Sequence, residues 1–123
     1  MFFVDEDKTI NITRGDFGVL DITAKSDDGS DYVFEAGDEV RFKVYERGRP
    51  EKVVLTKNVS VDSDTTTVTF ELERQDTKIG DLINKPKDYW YEVELNPDTN
   101  PDTFIGYDIK GPKIFRLYPE GDD

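Results

Sequence analysis

With 123 residues and no cysteine, the chain has room for one domain that holds together by its own core, without disulfides or Cys-based zinc sites. The absence of histidine removes the commonest general base and metal ligand, and with them any Ser-His or Cys-His nucleophile. A formal charge of -12 repels phosphate backbones and argues against nucleic-acid partners.

Acidic chains with few aromatics often stay disordered, but this one carries eight Phe, six Tyr and one Trp in alternating runs, which favours a folded domain. Met1 to Asp7 has neither the basic start nor the long apolar stretch of a signal peptide. No apolar run approaches the ~18 residues of a membrane span. The expectation is synthesis in the cytoplasm without a signal peptide, and no membrane partner.

In chain order the dominant period is two. Ile10-Asn11-Ile12-Thr13 alternates, then Leu20 to Lys25, and successive strand side chains point to opposite faces, so each segment reads as half-buried strand. Between them, Arg14-Gly15-Asp16 matches an integrin-read tripeptide, but Gly and Asp are turn residues and a turn is the expected reading. Asp27-Asp28-Gly29-Ser30 predicts a hairpin turn into Tyr32-Val33-Phe34. After Ala36-Gly37-Asp38 comes the cleanest alternation, Val40-Arg41-Phe42-Lys43-Val44-Tyr45. Arg47-Gly48-Arg49-Pro50 turns the chain before Val53 to Thr56, and 59–64 is a polar tip leading into Val68 to Glu73.

One short helical turn is expected near 76–83, capped by Asp76 or Thr77, with Ile79, Leu82 and Ile83 on its apolar side, Pro86 beyond its end, and 3₁₀ geometry allowed. Tyr91 to Leu95 alternates again. Asn96 to Asp102 is a Pro- and Asn-rich loop, Thr103 to Tyr107 can return as a strand, and Phe115 to Tyr118 closes the domain. The expected fold is all-β, about seven or eight short antiparallel strands in a sandwich or compact barrel over residues 1–119. Residues 120–123 are read as a frayed tail.

Acidic clusters at 5–7, 27–28, 62–64 and 96–102 offer oxygen ligands, yet none has the spacing of an EF-hand, and solvated loops are the default. Glu92 and Glu94 alternate with apolar residues, which puts them on a solvent face and not in a carboxylate pair chosen for hydrolysis. No cofactor is implied. The aromatic triplet Tyr89-Trp90-Tyr91 stands out, since alternation forbids one sheet from burying all three. Either the rings form a patch for a partner or a sugar, or Tyr91 is core and Trp90 caps the outer face. Tyr89, Trp90 and Tyr107 are the candidate interaction surface.

The stretch from Thr9 to Asp16, the Leu20 strand, Asp28-Gly29 and Phe34-Glu35-Ala36-Gly37-Asp38-Glu39-Val40-Arg41-Phe42 form a recognisable series. With Gln75-Asp76-Thr77, Tyr89 to Leu95 and Lys113 to Tyr118, it resembles the N-terminal domain of the phage baseplate upper protein family. That resemblance, to structural proteins of phages and prophages of Gram-positive hosts, implies an immunoglobulin-like β-sandwich without catalysis. It implies docking onto other phage structural proteins, self-association as a further possibility, and a place in the virion as baseplate, neck or fibre attachment. The alternative is a carbohydrate-binding sandwich that uses its exposed Trp and Tyr, with calcium in the 96–102 loop.

Overall fold

A computed structural model describes residues 1–121. In chain order the elements are Phe2–Val4 (β1), Ile10–Thr13 (β2), Gly18–Ile22 (β3), Glu39–Glu46 (β4), Arg49–Ser60 (β5) and Val68–Leu72 (β6). Arg74–Thr77 (α1), Lys87–Leu95 (β7), Asp102–Ile105 (β8) and Lys113–Tyr118 (β9) follow. None of the helices among the described residues is long and apolar enough to cross a membrane.

The chain folds as an all-β, two-layered sandwich. The large sheet runs β1-β2-β9-β7-β4-β5, with β8 pairing the end of β7 that β9 leaves open. The second layer is the ribbon β3-β6. Val40, Phe42 and Val44 of β4, Tyr89, Tyr91 and Val93 of β7, and Phe115 and Leu117 of β9 point inward. They meet Leu20 and Ile22 of β3 and Val68, Phe70 and Leu72 of β6. Phe42 is the hub, its ring 5.8 Å from Phe70, 5.5 Å from Tyr91 and 6.3 Å from Phe115. Phe34, Val61 and Ile79 reach the same core from the connections, which lets a two-stranded ribbon cover so large a sheet.

Several expectations are corrected. The strands are nine among the described residues and not all antiparallel, because β2 lies parallel to β9. Parallel neighbours need a long crossover, and here nearly the whole chain supplies it. Tyr32 to Phe34 forms only the bridge Phe34↔Thr65, and β3 stops at Ile22, with Lys25↔Asp31 closing the Asp28-Gly29 turn. The strand expected at 53–56 is longer, 12 residues from Arg49 in the expected turn to Ser60 in the expected polar tip, and forms β5. The return strand β8 ends at Ile105, so Gly106 and Tyr107 leave the sheet.

The helical turn lies at Arg74–Thr77, upstream of 76–83. Glu73 is its N-cap, and its amide donates to Asp76 Oδ2 at 2.9 Å. That reciprocal acid pair fixes the start three residues earlier than a Thr77 or Asp76 cap would. The Thr77 hydroxyl is used elsewhere, accepting from the Gly15 amide at 2.9 Å and donating to the Asp16 carbonyl at 2.8 Å. Gly80, at a φ of 63°, turns the chain away, and Leu82 is left exposed where an apolar helix face was expected.

Arg14-Gly15-Asp16 is a turn locked into the fold. Gly15 has a φ of 85°, and Arg14 donates to the carbonyls of Ile79 at 3.3 Å and Gly80 at 2.6 Å. Asp16 is held by the Met1 amino group. Arg14 also reaches Glu120 at 2.6 Å, which ties down the first residue of the expected tail; Asp122 and Asp123 lie outside the described residues.

Candidate functional site

The register of β7 decides which rings face outward. Val44 pairs with Tyr91 and Phe42 with Val93, and because both β4 residues are core, the odd positions of β7 point inward. Tyr89 is therefore buried, at 2% exposure, and does not belong to the interaction surface. Lys87 Nζ covers its ring at 4.9 Å from the centroid. Tyr91 is equally buried and donates to the Lys8 carbonyl at 2.5 Å, and burial pushes its phenol well above the ordinary range. Trp90 is left on the outer face.

There Trp90 sits in a cross-strand row. Tyr45 of β4 lies directly opposite on one side and Ile114 of β9 on the other, with Val53 of β5 beyond Tyr45. Tyr45 is buried although it stands outside the core, because this row covers it; burial and the nearby Glu92 carboxylate raise its phenol pKa. Above the row, the Tyr107 ring lies 5.7 Å from Trp90 at an angle of 56°, while 69% of Tyr107 stays exposed.

The segment carrying Tyr107 is braced. Gly106 crosses so close to β7 that a Cβ there would lie 3.0 Å from Thr103 Cγ2 and 3.3 Å from Glu92 Cβ. Asp108 and Gly111 then exchange both backbone hydrogen bonds, at 3.1 and 2.9 Å, and Gly111 takes a φ of 101°. Asp108 also accepts from the Lys110 amide at 2.8 Å and pairs with Lys113 at 2.8 Å. Those contacts hold the Asp108 carboxyl below the usual carboxylate range. The result is a tight turn with Ile109 wholly exposed at its tip.

On either side of the aromatic row the charges are paired. Lys43 contacts Glu92 at 2.8 Å and Glu94 at 3.8 Å, and Arg41 binds Asn58 at 2.9 Å and Asp98 at 3.2 Å. Below the row, Arg116 forks onto Asp88 at 2.7 and 3.2 Å. Glu92 and Glu94 thus lie on the solvent side and share one lysine.

Two side chains of the 96–102 loop bind back to the fold. Asn96 accepts from the Glu39 amide at 2.9 Å and donates to Asp38 at 3.2 Å, and Asp98 is engaged by Arg41. No group of three or more potential metal ligands occurs among the described residues. A depression of about 600 Å³ lies at the other end, lined among others by Glu46, Asp76, Lys87 and Tyr89. Lys57 pairs with Asp76 at 2.9 Å and Lys87 with Glu46 at 3.7 Å there.

Of the three candidate residues, the structure brings Trp90 and Tyr107 together and sends Tyr89 to the core. Sequence reasoning missed Tyr45, Ile114, Val53 and Ile109. The signal for Tyr45 was present, since it shares its strand phase with Arg41 and Lys43 and hence their face. No family model matches the chain, and no curated protein or solved structure is significantly similar to it.

Proposed function

We propose that this chain is a non-enzymatic adaptor module of a phage or prophage particle, gripping other structural proteins through the outer face of its large sheet. The observation that carries the reading is the Trp90–Tyr107 pair seated on the Tyr45–Trp90–Ile114 row, with Ile109 held out on a braced turn. Rigid aromatic groups on a firm scaffold give large contact area at low entropic cost. Charge pairing around the row lowers the desolvation penalty that unpaired charges would add at a contact. The two-layered, all-β architecture agrees with the sandwich that the resemblance implies. Sheet β9-β7-β4-β5 facing β3-β6 follows the G-F-C-C′ over B-E plan of variable-type immunoglobulin domains.

The test is co-expression of the chain with the products of neighbouring structural genes, followed by capture. Stoichiometric capture that Tyr107→Ser abolishes supports the reading. Absence of any such partner, or capture indifferent to Tyr107, removes it. A sugar-binding role draws on the same two rings, but their 56° angle makes a poor flat platform for a pyranose, and a glycan array tests it directly.

A further inference from the structure

We propose that the occupant of the aromatic face is a second copy of this chain, docked face to face with the strand directions of the two large sheets opposed. The inference rests on reading the outer face as the docking surface, and it names what covers that surface.

Charge distribution carries the argument. The chain as a whole is at -12, which should keep copies apart, yet the cations of the outer face are matched to carboxylates. Excess charge collects at the two ends of the face with opposite bias. Where β4 begins and β7 ends, the stretches 35–39, 61–64 and 96–102 carry seven carboxylates and no Lys or Arg. Where β4 turns into β5 and β7 begins, stretches 46–52 and 85–87 carry five basic side chains against two carboxylates. Arg47, Arg49 and Lys52 make no ion pair among the described residues. Two faces stacked with strands opposed set each basic end against the other copy's acidic end, and two-fold symmetry makes the match twice. Stacked with strands parallel, they set like on like.

The aromatic row, at the Tyr45–Trp90 level, lies about two residues from the middle of the face, so the same arrangement buries it against the outer face of the other copy. The area sets the strength. Four strands about 4.8 Å apart and about 30 Å long give a face on the order of 600 Å². That is under the roughly 800 Å² per partner of a stable complex, which points to a weak dimer. An end-to-end contact, acidic end on basic end, would match the same charges. It would leave Tyr107 and Trp90 in water, and it would not close, so it would build chains of growing length.

Sedimentation velocity on the full chain from about 5 µM to about 1 mM separates these cases. The expected result is a monomer–dimer equilibrium with no larger species. Tyr107→Ser, at an exposed position, should raise the Kd at least tenfold with an unchanged circular dichroism spectrum, and Arg47→Glu with Arg49→Glu should do the same. Because the chain has no cysteine, Ser60→Cys at the acidic end and Arg47→Cys at the basic end each supply a single cross-linking site. A mixture of the two treated with a short bis-maleimide should yield the mixed 60–47 product over either homotypic one. A strict monomer at the top concentration, a dimer that tolerates Tyr107→Ser, open-ended oligomers, or predominance of homotypic products would each overturn the proposal. A monomer that still captures another structural protein through Tyr107 overturns the second-copy inference while leaving the adaptor reading standing.

Discussion

Gly18→Ala looks harmless in a strand, where replacing Gly by Ala normally gains about 0.5–1 kcal/mol. Here it should destabilise. An added Cβ at Gly18 would lie 2.7 Å from Cδ1 and 2.8 Å from Cγ of Phe2, whereas ordinary carbon contacts are near 3.5–4.0 Å. The ring must therefore move about 1 Å or leave its site. Phe2 packs against the core from β1, whose sole strand partner among the described residues is β2. Expelling a half-buried Phe forfeits roughly half of the 1.5–3 kcal/mol that full burial is worth, and loosening of β1 adds to it. After the intrinsic gain is subtracted, loss of the ring contact alone leaves a net cost of up to about 1 kcal/mol, a fall in Tm of up to roughly 6 °C for a chain of this length, and the loosening of β1 enlarges both.

The control is a double-mutant cycle. Phe2→Ala alone costs stability, but on that background the ring atoms nearest the new Cβ are gone and Gly18→Ala should stabilise by about 0.5–1 kcal/mol, a coupling of about 1–1.5 kcal/mol. Urea unfolding followed by the emission of the single Trp, with m unchanged, measures each corner of the cycle. A Gly18→Ala protein as stable as the parent, or a cycle without coupling, would refute the packing of β1 over β3.

Thr77→Val keeps the shape of a fully buried side chain but removes the acceptor of the Gly15 amide and the donor to the Asp16 carbonyl. Orphaning such groups should cost about 1–3 kcal/mol in the same urea assay. Phe42→Ala, at the hub of the ring cluster, should cost about 3–5 kcal/mol. That is enough to unfold a domain of modest stability, and thermal unfolding by circular dichroism would show it. At alkaline pH the raised phenols of Tyr32, Tyr45 and Tyr91 stay protonated in the fold while those of the unfolded chain ionise from about 10 upward. Their contribution is complete below that pH and fades as pH rises through the folded values. Tyr91→Phe should flatten part of the alkaline fall in stability, and a pH–stability profile identical to the parent's would count against it.

Much of the architecture was legible because alternation is a local property. Val40 to Tyr45, Val68 to Leu72, Tyr91 to Leu95 and Phe115 to Tyr118 are all strands with the expected inward faces. What alternation cannot encode is pairing. The parallel contact of β2 with β9 joins residues more than 100 positions apart and leaves no trace in either strand's own pattern. Phe2-Phe3-Val4 shows no period and becomes a strand only because β2 offers it an edge. Lys57 and Asn58 lie beyond the expected 53–56 strand, but β5 is the rim of the sheet, where polar side chains continue a strand at no cost. The helical turn was misplaced because Glu73 is its N-cap with Asp76 three residues on, whereas Asp76 or Thr77 was expected as the cap itself.

The site followed the same division. Period two says that Tyr89 and Trp90 point to opposite faces, but the phase comes from a neighbour, Val44 set against Tyr91. Tyr107 reaches Trp90 only because Gly106 lets the chain cross close to Glu92, a contact between residues brought together by the β7–β8 hairpin.

The claim on which the functional account stands is that the outer face around Trp90 is what this protein uses to hold its partners. Acrylamide quenching of the lone Trp measures it most directly, comparing the free chain with the chain in its assembled complex. The account predicts a several-fold drop in the quenching constant on assembly. A constant that stays the same in a complex proven to be intact would contradict it.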